Sequence, residues 1–164
     1  MDNSIFYLVI IIAIVLVIAL IIMSSIEIRK EKKLKETIHD LVNNSVALTT
    51  EEFLMVRNKS FGGRGNPLYS KHYTYEGVYI LYNKTKSLYY VGQGTKIFDR
   101  VNNHFVGRGN GDVYADYKYG DEWLISMIAL ENSGFESLNE LERNTIKVYN
   151  SVENGYNRTR GNRN

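Results

Sequence analysis

The sequence predicts a small α+β domain, a three-stranded antiparallel sheet flanked by helices, preceded by one transmembrane helix. Three observations carry this expectation. An unbroken apolar run occupies the N-terminus. Two short, tyrosine-rich, strand-like segments sit mid-chain around a polar turn. Segments of helical periodicity then surround one further apolar, strand-like stretch. A chain of 164 residues has room for one modest domain plus an appendage.

The apolar run extends from Ile5 to Met23 without a charged residue. At about 1.5 Å per residue it spans roughly 29 Å, the thickness of a bilayer's hydrocarbon core. Lipid offers backbone groups no partner, so the run must be helical. Tyr7 lies near one end, where an interfacial ring is at home. A cleaved leader fits less well, because the chain opens Met1-Asp2-Asn3-Ser4 with no basic residue, and Ile22 to Ile26 makes a poor cleavage site. Arg29, Lys30, Lys32, Lys33 and Lys35 crowd the far side of the run. The positive-inside rule therefore expects a single-pass protein of the inner (cytoplasmic) membrane, with its N-terminus outside and the rest in the cytoplasm. Two roles stay open for the basic cluster: contact with anionic lipid heads, or a solvated helix face that only sets topology.

The net charge of +2 signals no strong polyelectrolyte attraction. The absence of cysteine excludes disulfides, thiolate-held zinc and thiol nucleophiles, and agrees with a reducing compartment.

After the span, Ile26 to Asn43 reads as a helical stalk, with Leu34, Ile38 and Leu41 on one stripe and Asn43-Asn44-Ser45 as its end. Thr49-Thr50-Glu51-Glu52 is a capping-box pattern opening a short helix to about Asn58. A loop follows at Phe61 to Pro67, and the core domain begins near Tyr73 to Glu76. Gly77 to Asn83 and Leu88 to Gly92 form a hairpin across the turn Lys84 to Ser87. Lys96 to Phe105 is helical, with Ile97, Val101 and Phe105 on one face and Arg100 and His104 sharing another. Gly107 to Gly111 breaks the chain, and Asp112 to Tyr119 is a short helix. Trp123 to Leu130 leans towards strand. Leu138 to Tyr149 is a helix capped from Ser137, with Leu138, Leu141, Thr145 and Val148 inward. The expected organisation is therefore an extracytoplasmic end at 1–4, a span at 5–24 and a basic stalk at 25–48. A short helix and Gly-rich linker at 49–75, the core domain at 76–157 and a basic tail at 158–164 complete it.

This order could gather Tyr79 and Tyr90 from paired strands, Arg100 and His104 from the helix that follows, Glu142 from the last helix and Asn157 just beyond it. A phosphodiester hydrolase needs an activated water, a counter to phosphate charge and aid for the leaving oxygen. A hard cation on a carboxylate, a guanidinium and a Tyr or His that moves a proton supply these. Taken singly, each residue has a plainer reading: strand tyrosines, a solvated arginine, a surface or core histidine, a capping-turn glutamate and a turn asparagine.

Their joint order resembles the GIY-YIG nuclease family. Gly77-Val78-Tyr79 stands for the first half of its signature and Tyr90-Val91-Gly92 for the second, with valine in place of both isoleucines. Arg100 and His104 fall at the family's helix positions, Glu142 at its metal-binding glutamate, and Gly155-Tyr156-Asn157 at its closing motif. The resemblance implies that Glu142 ligates Mg²⁺ or Mn²⁺ and that Arg100 steadies the scissile phosphate. Tyr79 is the base or orients water, while Tyr90 and His104 place the phosphate and relay protons. Asn157 fixes the site's geometry or a phosphate oxygen, and Gly92 admits a close backbone approach to the DNA. Some members carry a further histidine after the helix; here Asp112, Tyr114 or Asp116 is the candidate replacement.

Arg108, Lys118, Arg143, Lys147, Arg158, Arg160 and Arg163 form a candidate phosphate-tracking surface, or else scattered solubilising charge. No base-reading module follows the domain, so weak sequence preference on DNA, expected to be double-stranded, is the reading. An anchor joined to such a module suggests action at the membrane on DNA entering the cell, as phage DNA does. The alternative is a membrane-linked DNA-binding scaffold that no longer cuts.

Overall fold

The structure, a computed structural model, describes residues 3–58 and 75–161. Residues 1–37 and 38–164 form two compact units. The first is part of α1, one uninterrupted helix from Asn3 to Asn43. Its apolar stretch has a mean hydropathy of 3.5 and none of it is buried, so by length and composition the helix can cross a membrane. Span and stalk, separate in the sequence reading, are thus one helix. No breaker intervenes, and Ser25 returns its hydroxyl to the Ile21 carbonyl at 2.8 Å instead of ending it.

The second unit is built on a four-stranded antiparallel sheet in the order β1-β4-β2-β3: β1 Val46–Thr49, β2 Gly77–Asn83, β3 Leu88–Gly94 and β4 Trp123–Ala129. The expected sheet had three strands. The fourth is β1, which pairs with β4 from Val46↔Met127 to Thr49↔Leu124. It has four residues, three of them exposed, so it carries too short a pattern to separate from the stalk.

The helices are α2 Thr50–Asn58, α3 Ile97–Phe105, α4 Gly111–Lys118 and α5 Leu138–Tyr149. The capping box at Thr49 forms in both directions: Glu52 N donates to Thr49 Oγ1 at 3.2 Å, and Thr49 N to Glu52 Oε2 at 2.8 Å. At α5 only half of the box closes. Ser137 Oγ caps Glu140 N at 3.2 Å, while the Glu140 carboxylate turns to Glu136 N at 3.0 Å.

Strand register decides what each face receives. Tyr79, Leu81, Tyr90, Gly92, Trp123, Ile125 and Met127 share one face by alternation and pairing. That face carries the main core, into which α2 sends Phe53, α3 sends Ile97, Phe98, Val101 and Phe105, and α4 sends Val113. Val78, Ile80, Tyr82, Tyr89, Val91 and Gln93 point the other way, towards α5, whose Leu141, Thr145 and Ile146 are buried. β2 is interior in the sheet and covered on both faces, which is why nearly every residue in it is buried. Leu138 and Val148, expected inward, are half-buried at the ends of α5. Because β1 and α2 pack into this unit, it extends beyond the 76–157 expected from sequence. The Gly-rich loop at Phe61 to Pro67 and the expected boundary near Tyr73 lie outside the described residues.

Candidate active site

The edge strand β3 is where the two layers of helices meet. Gly92 and Gly94 face α3, and Gln93 between them faces α5. A Cβ on Gly92 would overlap the hydroxyl of Tyr79, its cross-strand neighbour. A Cβ on Gly94 would stand 2.5 Å from Arg100 Cγ. Two missing side chains thus make the space in which a phenol and a guanidinium stem lie. Gly92, expected to let the backbone approach closely, makes room here for the Tyr79 phenol.

Three rings form a triangle there. Tyr90 and His104 have centroids 4.7 Å apart, Tyr79 and His104 5.5 Å, and Tyr79 and Tyr90 6.1 Å. Tyr79 Oη lies 2.9 Å from His104 Nε2. On the far side of the imidazole, Asn110 N donates to Nδ1 at 3.0 Å. Tyr79 is fully buried and His104 nearly so, whereas Tyr90 is half-exposed and Arg100 exposed. Tyr79, the expected base, is therefore shielded from solvent, and Tyr90 is the phenol at the surface.

Electrostatics follow from this arrangement. Burial, then the Arg100 charge, pull His104 down to about 4, so the ring is neutral at physiological pH. Burial pushes the Tyr79 phenol far up; proximity to Tyr90 and Glu142 adds to this, and Arg100 opposes it. Burial also raises Tyr90, while a hydrogen bond from Tyr79 and the Arg100 charge work the other way. Arg100 lies against Gly94 on the α3 side of β3 and Glu142 against Gln93 on its α5 side, and the charge of each is felt by both phenols.

Glu142 is on α5, only 8% exposed. Its Oε2 accepts from Gln93 Nε2 at 3.1 Å, and the same amide donates to Asn139 Oδ1 at 2.7 Å. Gln93, which the sequence reading did not single out, ties this carboxylate to the signature strand. Among the described residues no cluster of three His, Cys, Asp or Glu could hold a metal. A single carboxylate beside a phosphate-bearing substrate nonetheless suits Mg²⁺ or Mn²⁺, ions that keep several waters and commonly take one or two protein carboxylates.

Asn157 is committed to backbone. Its Oδ1 accepts from Val91 N at 2.8 Å and its Nδ2 donates to Val91 O at 2.8 Å, so it holds the outer edge of β3 as another strand would. Gly155 bridges to Tyr89 just before it. Tyr156 Oη donates to Asp116 Oδ2 at 2.6 Å and accepts from Asn83 Nδ2 at 2.8 Å. The closing Gly-Tyr-Asn segment is a clamp on the strand that carries Tyr90.

The three candidates for the family's further histidine are occupied elsewhere. Asp112 pairs with Arg158, Asp116 with Lys86 and Tyr156, and Tyr114 packs beside Gly107. The residue of that stretch that reaches the triangle is Asn110. Of the expected DNA contacts, Arg108, Lys118, Lys147, Arg158 and Arg160 are all exposed. Arg160 pairs with Glu153 at 3.2 Å and, with Arg143 and Lys147, lines a cavity of about 400 Å³ beside α5. Arg163 lies outside the described residues.

Two phenols, a neutral imidazole, a free-standing guanidinium and a buried carboxylate on an α+β scaffold define a catalytic domain suited to an anionic ester. Residues 75–157 match the GIY-YIG catalytic domain, and the chain belongs to the GIY-YIG family. That family consists of endonucleases acting on DNA, so the domain is of nuclease type, which supports DNA as its partner. None of the curated proteins and none of the solved structures matches the chain.

Proposed function

We propose that the chain is a membrane-tethered, divalent-cation-dependent endonuclease that hydrolyses DNA with little sequence preference. The observation that carries this reading is that neighbouring positions of β3 hold both charged groups: the Arg100 stem lies in the space a Cβ on Gly94 would fill, and Gln93 binds the Glu142 carboxylate at 3.1 Å. In this reading Arg100 holds the non-bridging oxygens of the scissile phosphate by charge and planar geometry. Tyr90 Oη, the half-exposed phenol, first gives up its own proton to solvent; as phenolate it orients the attacking water and takes its proton, and the hydroxide forms the new P–O bond as the ester P–O bond breaks. The departing oxygen takes a proton from solvent. Tyr79 and His104 hold Tyr90 from below.

In the free protein burial keeps Tyr90 protonated, so added positive charge beside it helps the proton leave. A cation held by Glu142 would supply such charge and polarise the phosphate. Gln93 orients the Glu142 carboxylate for that purpose.

Phosphate contacts, not base contacts, are the proposed source of affinity, with Arg108, Lys118, Lys147, Arg158 and Arg160 as their donors. The apolar helix supports placing the domain on the cytoplasmic face of a bacterial inner membrane, the basic cluster after the span giving the orientation. There it would meet phage or other incoming DNA.

The test is a nicking assay with the full chain on supercoiled plasmid and on single- and double-stranded oligonucleotides, with Mg²⁺, Mn²⁺ or chelator. Cutting of duplex DNA that needs the cation, and falls at least a hundredfold in Glu142→Ala and in Arg100→Ala, is the expected result. DNA binding without cutting under every condition would instead mark an inactive scaffold.

A further inference from the structure

The His104 imidazole is contacted at both nitrogens, and the two contacts differ in kind. A backbone N–H can only donate, so the 3.0 Å contact from Asn110 N makes Nδ1 an acceptor. The neutral ring must then carry its proton on Nε2, and the 2.9 Å contact there has Nε2–H donating to Tyr79 Oη. With Oη accepting from Nε2–H, the Tyr79 proton is left to point away from His104, and the Tyr90 ring stands 6.1 Å from the Tyr79 ring by centroid. The three groups thus line up from the buried imidazole out to the half-exposed phenol. Hydrogen bonds in series through one ring strengthen one another.

The Asn110 side chain makes separate bonds of its own. Oδ1 caps α4 by accepting from Asp112 N at 2.9 Å and Val113 N at 3.1 Å, and Nδ2 donates to Tyr156 O at 3.1 Å. The preceding residue independently points to a required close approach. A Cβ on Gly109 would lie 2.6 Å from His104 Nδ1 and 2.8 Å from Cγ, so only glycine lets the loop pass this near the ring.

We propose that Asn110 is a positioning residue that fixes His104 as the Nε2–H tautomer through its backbone N–H, and so directs the His104–Tyr79–Tyr90 chain towards the substrate. This rests on the reading of Tyr90 as the group that meets the attacking water.

The φ of Asn110 is −72°, a value proline accepts. Asn110→Pro therefore removes the N–H without demanding a new backbone conformation. Asn110→Ala loses the same side-chain bonds but keeps the N–H, and the difference between the two isolates that single donor. The full chain in detergent micelles, labelled with ¹⁵N-histidine, has only His39, His72 and His104 to resolve, and His104→Gln assigns the third.

At pH 7, wild type and Asn110→Ala are expected to show a protonated Nε2 and a bare Nδ1. In Asn110→Pro the proton is expected to shift wholly or partly to Nδ1, with cleavage about tenfold below that of Asn110→Ala. Gly109→Ala, which pushes the loop off the ring, should show the same shift of tautomer and serves if the proline variant does not fold. A proton on Nδ1 in wild type, an unchanged tautomer in the proline variant, or equal cleavage by the proline and alanine variants overturns the proposal. A wild type with the expected tautomer that cuts no DNA with any cation supports the tautomer assignment and sinks the nuclease reading.

Discussion

A methyl group on Gly92 has nowhere to go except into the Tyr79 phenol, whereas one on Gly111 meets nothing within 4 Å. Gly92→Ala is therefore expected to move Tyr79 off His104 and cut the nicking rate by about tenfold to a hundredfold. Gly111→Ala, at the first residue of α4, should leave the rate unchanged in the same assay. His104 gives a prediction of a different kind. Its value of about 4 in the folded protein lies below the usual 6.5. Between these values the unfolded chain binds a proton that the native ring refuses, so stability falls as pH is lowered from about 6.5 towards 4 and levels off below. At pH 4.5 the loss reaches about 2 to 3 kcal/mol. Urea unfolding at pH 7 and 4.5 should show this extra loss in wild type and not in His104→Gln; parallel losses would contradict it. At this scale the sequence motif named Tyr79, Tyr90, Arg100, His104, Glu142 and Asn157, because their types and spacing are constrained by the chemistry. Gln93 and Asn110 were illegible. Gln93 acts through a 3.1 Å bond to a helix 49 positions away, and Asn110 through a backbone N–H, which no side-chain pattern encodes.

Among the elements, those with a full repeat could be read directly: α5 runs from Leu138 to Tyr149 as its capping serine and apolar spacing require, and the β2–β3 hairpin falls where its tyrosines and valines alternate. β1 could not, because four residues hold only two periods of a strand, and its partner β4 is far along the chain. The consequence is that α2, which looked like part of a linker, belongs to the core. Phe53 is fully buried and stacks on Phe98 with centroids 4.4 Å apart. Phe53→Ala should cost about 3 to 5 kcal/mol in urea unfolding, a loss a linker residue would not produce. The clamp on β3 offers a milder case. Asn157→Ala removes two hydrogen bonds to Val91 and leaves that strand edge less fixed. It should destabilise the protein by about 1 to 3 kcal/mol and slow cleavage, since Tyr90 precedes Val91. A variant as stable as wild type but inactive would instead place Asn157 on the substrate.

For the whole molecule, the question is what the apolar helix adds to a domain whose candidate site groups all come from the second unit. Every group of the ring triangle, and the carboxylate behind it, comes from residues after Gly77, while the uncharged apolar run ends at Met23, ahead of Ile38, where the second unit begins. The candidate site and the apolar run therefore reside in separate parts of the chain. A deletion of residues 5–23 should move the protein from the membrane pellet to the soluble fraction while changing the in-vitro nicking rate by less than about twofold, because no site residue is touched. In cells the proposed function predicts that the outcome diverges: a nuclease of low sequence preference, once released from the membrane, would gain access to the chromosome, so the deletion should raise DNA damage in the host and weaken protection against injected DNA. The same deletion carrying Glu142→Ala separates the two effects, since it should abolish both damage and protection if these come from cutting. Protection equal to that of the full chain, without harm to the host, would show that confinement at the bilayer is not how the protein is directed to its DNA.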